Sequence, residues 1–303
     1  MKVDVMVPFY GDPALLQLAV RSVLEQDDPD WRLVVVDDGY PDPAVADWFA
    51  ALDDERVEYR RNAQNLGANG NFRRCLELVR SDLAVLMGAD DLMLPGYIGA
   101  IKDLHRRHPR AAVFQVGVEC VDETGAVFES LVDRAKQALY APGGRGPRLL
   151  GGEALATSLL RGNWLYFPSL AWRSDALLST GFRDGLDVVQ DLALVIDLLV
   201  SGEQMVVDDR PRFRYRRHRA SDSSARALSG SRFAEERRYF RSVGREMEEL
   251  GWHRAARAAR NHLSSRLHAL TIVPRAVRSG RAQDAGRLLQ HAFAPVDSRL
   301  VRS

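Results

Sequence analysis

Apolar residues alternate at Val3, Val5 and Val7, which predicts a strand over residues 1–8. Gly11-Asp12-Pro13 turns the chain into a helix over 14–26, with Leu15, Leu18, Ala19 and Val23 at helical spacing. Residues 32–36 form a nearly unbroken apolar run that stops at Asp37-Asp38-Gly39. Residues 83–87 form another, and it stops at Gly88-Ala89-Asp90-Asp91 with a helix signal after Pro95. Such runs read as strands buried on both faces. Between them the pattern predicts a helix over 43–52, a brief strand over 57–59, a polar glycine-punctuated loop over 65–71 and a helix over 72–79. This β-α-β-α-β-α-β alternation predicts an α/β fold, a parallel sheet with helices on both faces. If the strands ending at Val36 and Met87 are neighbours, their four carboxylates share one rim.

The second half is less regular. A strand is predicted over 111–121 and a flexible surface loop over 141–152 (APGGRGPRLLGG). A helix over 153–160 follows, then a strand-like aromatic run over 163–172 that Pro168 breaks. A strong helix is predicted over 186–199, with short strands at 205–207 and 213–215. From about residue 231 the pattern is helical and basic, with fifteen Arg and seven acids over 231–303. The Ser-rich stretch 221–231 is the natural boundary, giving a first domain over 1–224 and a basic helical extension over 225–303.

An apolar share of 46% and a formal net charge of +1 describe a soluble globular protein and argue against nucleic acid as a partner. Cys75 and Cys120 form no CxxC, so neither a disulfide scaffold nor a structural zinc site is expected. A strand begins at once with no signal peptide ahead of it, and no apolar run approaches the roughly 18–20 residues of a membrane span. A cytoplasmic protein is the expectation. Two adjacent acids at the carboxyl end of a buried strand lie where open α/β sheets hold ligands. Asp90 and Asp91 can bind a divalent cation through oxygen, and that cation can neutralise a diphosphate. An N-cap pair opening the next helix is the bland alternative.

These segments in this order resemble the family 2 glycosyltransferases, enzymes of GT-A fold that pass a sugar from a nucleotide donor with inversion. VPFYGDPALLQLAVRSVLEQ resembles the family's opening strand and helix, VVVDDGYPD its nucleotide-base motif and NAQNLGANGNF its Asn-x-Gly loop. The similarity covers roughly residues 3–224. It implies that Pro8 and Tyr10 line the base pocket, that Asp37 and Asp38 bind base and ribose, and that Gly67 and Asn71 shape the loop over the nucleotide. LMGADD falls where the family usually has Asp-x-Asp-Asp. Gly88 replaces the first acid, which leaves the cation, Mg²⁺ or Mn²⁺, to Asp90 and Asp91. Asp191 falls where the family places its catalytic base, with Asp184 and Asp187 as close rivals. Tyr215-Arg216-Arg217-His218 resembles the segment that folds over the diphosphate, so His218 is expected there.

The implied activity is metal-dependent inverting transfer of a hexosyl or deoxyhexosyl group from a UDP-, dTDP- or GDP-linked donor. The acceptor class stays open among glycans, lipid-linked molecules and small molecules. A catalytically silent nucleotide-sugar-binding partner and a nucleotidyltransferase are the competing classes. The latter would show a Gly-rich basic phosphate loop after the first strand, where this chain has Tyr10-Gly11-Asp12-Pro13. The basic helices are expected to be a solvated cap, a homo-oligomer contact or a peripheral contact with the inner face of an anionic membrane.

Overall fold

A computed structural model describes residues 1–128, 131–217 and 231–293. The first half follows the hydrophobic pattern. Strand β1 (Val3–Phe9), helix α1 (Pro13–Leu24), β2 (Trp31–Asp37), α2 (Ala44–Ala50), β3 (Val57–Arg61), α3 (Gly67–Glu77) and β4 (Leu83–Leu86) alternate as expected. These four strands are parallel in the order β3-β2-β1-β4. Every residue of β4, and all but one of β2, is buried, which is why each reads as a continuous apolar run. The strands ending in acid pairs are therefore not neighbours: β1 lies between β2 and β4. The two pairs sit on one rim, one strand apart.

Beyond β4 the sheet becomes mixed, its later strands joining the parallel half through antiparallel pairs. A two-residue strand β5 (Leu92–Met93) precedes α4 (Tyr97–Arg107) and β6 (Ala111–Val121). Helix α5 (Leu131–Tyr140), for which the hydrophobic pattern gave no helix, is followed by β7 (Arg148–Gly151), which lies inside the segment expected to be a loop. Then come α6 (Gly152–Arg161), β8 (Leu170–Arg173), α7 (Ser174–Thr180), α8 (Gln190–Val200) and β9 (Gln204–Arg216). Strand β8 runs antiparallel between β4 and β6. The two short strands expected at 205–207 and 213–215 are the halves of β9, parallel to β6 with register shifts where Gly117 faces Pro211. Pro211 has no N–H to give the ladder. A Cβ at Gly117 would lie 2.7 Å from the Arg210 backbone, so glycine lets the irregular strands close up.

One core packs α3, α6, α7 and α8 on one face of the sheet, and a second packs α1, α2 and α4 on the other. The basic C-terminal helices are continuous with the first. Helix α9 (Ser231–Glu249) contributes Tyr239, Phe240, Val243 and Met247, and α10 (His253–Asn261) contributes four alanines, Ala255, Ala256, Ala258 and Ala259. Helices α11 (Leu263–Arg278) and α12 (Ala282–Phe293) close a small cluster around Phe233. The domain boundary expected after residue 224 lies outside the described residues. No helix among the described residues is long and apolar enough to cross a membrane.

At the opposite end of β1 from the acid rim, Asp4 is fully buried. It accepts hydrogen bonds from Arg32 Nε (3.0 Å) and Nη2 (2.8 Å), from the Arg80 (2.6 Å) and Ser81 (2.9 Å) amides, and from Ser81 Oγ (2.6 Å). Burial alone would raise its pKa, but these donors outweigh it and hold the carboxyl below its usual range. The stability it supplies is therefore complete above about pH 3.9, the ordinary value of an unfolded Asp, and fades as pH falls through the lower folded value. Asp4→Ala takes the acceptor from two amides and the Ser81 hydroxyl, and leaves the largely buried Arg32 guanidinium with the Leu78 carbonyl and Glu58 alone. It should cost about 3–5 kcal/mol, read as a lower midpoint in urea at pH 7 and a smaller difference from wild type at pH 3.

Candidate functional site

Three loops meet at the carboxyl rim of β1, β2 and β4. The first follows β1. Pro8 is half-buried in the strand, and Tyr10, 59% exposed, meets Tyr40 edge-on with ring centroids 5.8 Å apart. Tyr40 in turn tilts on Phe9 at 5.1 Å, so the rim has an aromatic wall. Asp12 accepts the Ala14 amide (2.8 Å), which places a carboxylate over the start of α1.

The second loop follows β2, and its acids are buried. Asp37 accepts the Tyr40 amide (2.7 Å) and the Tyr59 hydroxyl, with Arg61 Nη1 3.6 Å away. Asp38 Oδ1 accepts from Asn62 Nδ2 (2.9 Å) and the Leu66 amide (2.8 Å), while its Oδ2 takes no part in that network. Asn62 also donates to Asn71 Oδ1 (3.0 Å), and Asn71 Nδ2 donates to the Val36 carbonyl (2.8 Å). Asn71 thus ties the Asn-Gly segment to the end of β2. That segment is mostly helix: α3 begins at Gly67, whose φ of +73° makes the entry turn, and not at residue 72. The buried Asn71 amide bond outweighs the poor helix propensity of Asn and Gly.

The third loop follows β4. Asp91 is 1% exposed and Oδ1 accepts the Arg216 amide (2.8 Å), while the Asp91 amide donates to the Gly88 carbonyl (3.3 Å). Burial and then the neighbouring Asp90 charge push the Asp91 carboxyl well above its usual range. A Cβ on Gly88 would lie 2.5 Å from Asp91 Oδ2 and 3.0 Å from Asp90 Oδ1. The two carboxylates therefore converge over a backbone position that only glycine leaves clear. Among the described residues no group of three or more His, Cys, Asp or Glu could hold a metal. A pair of converging oxygens, one of them costly to ionise unaided, fits a hard divalent ion whose other ligands are water and substrate phosphate.

The third loop reaches the rest of the site through β5, which pairs Leu92 with Arg214 and Met93 with Phe213. The guanidinium of Arg216 turns inward, to the carbonyls of Asp90 (2.9 Å), Asp122 (3.0 Å) and Glu123 (3.3 Å). It is thereby a structural residue, contrary to the expectation that the whole basic segment covers a diphosphate. Its neighbours Tyr215 and Arg217 line a cavity of about 150 Å³ together with Asp191, Asn163, Trp164 and Lys136. His218 lies outside the described residues.

Asp191 sits in the first turn of α8 and accepts from Asn163 Nδ2 (3.1 Å); burial raises its pKa despite that bond. Of its rivals, Asp184 is fully exposed beside Arg73 (3.3 Å), and Asp187 accepts a hydrogen bond from Asn69 of α3. Neither lines the Asp191 cavity. Trp172 is fully buried, whereas Trp164, 3% exposed, gives its Nε1–H to Ser158 Oγ (2.9 Å) and still faces Asp191.

Sequence reasoning missed one residue on the C-terminal helices. Glu235 of α9, 8% exposed, accepts three consecutive amides, Asp187 (2.9 Å), Val188 (2.6 Å) and Val189 (3.2 Å), just ahead of α8. These amides have no partner within the helix. Glu235 supplies it from another element, and α8 accordingly starts at Gln190 and not at 186. No spacing in the sequence points to this bond, because it joins residues 46 to 48 apart.

Residues 4–147 match Glycosyl transferase family 2, and the chain has the GT-A fold with C-terminal helices added. The chain is 27% identical over 246 residues to the uncharacterized protein MT1568 of Mycobacterium tuberculosis, covering 76% of this chain and 71% of that one. It is 30% identical over 103 residues to a GalNAc(5)-diNAcBac-PP-undecaprenol beta-1,3-glucosyltransferase of Campylobacter jejuni, 33% of each chain. Similarity to the putative glycosyltransferase EpsE of Bacillus subtilis is 25% over 126 residues, 41% of this chain and 45% of that one. The chain thus spans less than half of these two relatives. Among solved structures, S. aureus TarS 1-349 in complex with UDP-GlcNAc superposes with a TM-score of 0.64 at 13% identity, over 96% of this chain and 90% of that one. At that identity the likeness is one of fold.

Removing the Glu235 carboxylate leaves three amides without an acceptor, at about 1–3 kcal/mol for each that stays buried. Glu235→Ala is expected to speed amide hydrogen exchange in a peptide spanning 186–192 at least tenfold, with the sheet amides of β1 and β2 unaffected. Glu235→Gln, which keeps an acceptor oxygen, should restore most of the protection.

Proposed function

We propose that the protein transfers a sugar from a nucleoside-diphosphate sugar to an acceptor hydroxyl in one inverting displacement. The observation that carries this reading is the bond from the Arg216 amide to Asp91. It joins the acid pair of the donor rim to a strand end whose flanking residues, Tyr215 and Arg217, line the Asp191 cavity. Donor and acceptor halves of a transfer site thus adjoin. Pro8, Tyr10, Asp37 and Asp38 form the base and ribose pocket, in which Asp37 fixes the loop and Asp38 has an oxygen to offer. Gly67 and Asn71 set the loop beside it. Asp90 and Asp91 hold Mg²⁺ or Mn²⁺, which when bound offsets the charge of the departing diphosphate. UDP-GlcNAc in TarS supports a nucleotide-sugar donor by fold likeness.

Asp191 takes the proton of the acceptor hydroxyl as its oxygen attacks the anomeric carbon. The carbon–oxygen bond to the diphosphate breaks on the opposite side, and the leaving group carries away the electron pair. A base must be ionised and near the nucleophile. Asp191 lines a cavity, Asn163 orients it, and its raised pKa makes the carboxylate more basic than an exposed one. Arg217 and Lys136 line the same cavity and counter the charge that develops there. A nucleotidyltransferase is disfavoured because the Asp12 carboxylate occupies the turn where a triphosphate would need free amides.

Asp191→Asn should lower kcat by about 10²–10⁴-fold while the donor Kd, read by thermal shift with Mn²⁺, stays within about twofold of wild type. Full turnover by that variant would overturn the base assignment, and donor binding without any turnover by wild type would favour a silent binder. Because the base works deprotonated, kcat of the wild type should fall on the acid side, along a limb displaced above the ordinary Asp value of about 3.9. Gly88→Ala forces both carboxylates apart. It should weaken Mn²⁺-dependent donor binding about tenfold, the effect of about 1.4 kcal/mol, with little change in binding measured without metal.

A further inference from the structure

Two further cavities, of about 200 and 340 Å³, open around Tyr140 at the end of α5. Both are lined by Tyr140, Arg161 and Arg254, so they form one groove. Arg161 comes from the last turn of α6. Arg254 and Arg257 of α10 lie one turn apart, with Asn261 one turn further on, so that one stripe of this helix faces the groove. The opposite side of the helix buries Ala255, Ala256 and Ala259, while Ala258 lines the groove beside the arginines. Only Arg254 is balanced: Glu153 accepts its amide (2.6 Å) and lies 3.2 Å from Nη2. Arg161 and Arg257 have no carboxylate partner among the described residues. Leu139, 72% exposed, and Leu263, 56% exposed, line the two ends.

The groove adjoins the Asp191 cavity. Ser158 lines the groove, donates its hydroxyl to the Tyr140 carbonyl and accepts from Trp164 Nε1 (2.9 Å), and Trp164 lines the Asp191 cavity. One side-chain contact separates the two spaces. Forked guanidinium donors match phosphate oxygens, and two unbalanced ones match a dianion. Exposed leucines at both ends suit an apolar substituent.

We propose that this groove binds the phosphate of an amphiphilic phosphate ester, as the anchoring part of the acceptor whose hydroxyl reaches Asp191. The acceptor role rests on the transferase reading, whereas the binding itself does not. The test is calorimetric titration of the full chain with dodecyl phosphate below its micellar concentration, beside inorganic phosphate and phosphatidylglycerol vesicles. Dodecyl phosphate should bind, inorganic phosphate at least tenfold more weakly, and the exposed-residue double variant R161Q/R257Q should lose at least tenfold in dodecyl phosphate affinity. Its thermal shift with donor nucleotide should match wild type, which also certifies its folding. Equal affinity of the variant and wild type, no binding of dodecyl phosphate, or equal binding of both phosphates would overturn the proposal. Binding confined to intact vesicles would replace it with adsorption to a membrane surface. Failure of the Asp191→Asn experiment would leave this titration standing, so the two readings fail separately.

Discussion

The site depends on a buried carboxylate anchored by the Arg216 backbone amide. Asp91 lies at the end of an interior strand, where burial and the charge of Asp90 both act against its ionisation. The Arg216 amide is the donor the fold supplies, and two ladder pairs, Leu92–Arg214 and Met93–Phe213, bring it there. A strand of two residues contributes little by itself. Its effect is to fix β9 against the acid rim, so that Tyr215 and Arg217 stand beside Asp191 and the Arg216 guanidinium closes the turn from behind. Gly88 belongs to the same constraint, since any side chain there would displace the oxygens that converge above it.

The second half of the chain completes the site from the other side. Helix α9 shares the main core, and its Glu235 takes the three amides that lead into α8. Arg183 bonds both Asp197 of α8 (2.8 Å) and Glu246 of α9 (3.0 Å), so the two helices are tied twice. Asn69 and Arg73 of α3 reach the same 183–187 segment. The loop beside the proposed nucleotide pocket, the approach to the proposed base and the C-terminal helices are therefore coupled through one short stretch of backbone. The arginines of α10 face outward because its alanines pack inward, so the basic composition of the tail and its place in the core are compatible.

The hydrophobic pattern makes β1, β2, β4 and β6 legible because interior strands need apolar side chains on both faces, and the two acid pairs stand out as polar interruptions at their ends. What the pattern lacks is partnership. It gives β1, β2 and β4 but not the order that sets β1 between the other two, and it reads β9 as two strands because Pro211 interrupts the run. Strands β5 and β7 have no periodicity of their own and exist through pairing with β9. The Asn-Gly segment reads as a loop by propensity, yet Asn71 finds a buried carbonyl at Val36 and the helix extends back to Gly67. Asp191 stood out only through the family resemblance, and it lies in the first turn of an apolar helix. Asn163 and Glu235 did not stand out, because each acts across a tertiary contact that no local spacing encodes.

The most direct measurement is a crystal structure with a nucleoside diphosphate and Mn²⁺, using anomalous scattering to locate the ion. The account predicts a single manganese peak in contact with Asp90 or Asp91 and the diphosphate, with the terminal phosphate directed to the cavity that contains Asp191. A peak held by other residues, or a diphosphate whose terminal phosphate points away from Asp191, would contradict it.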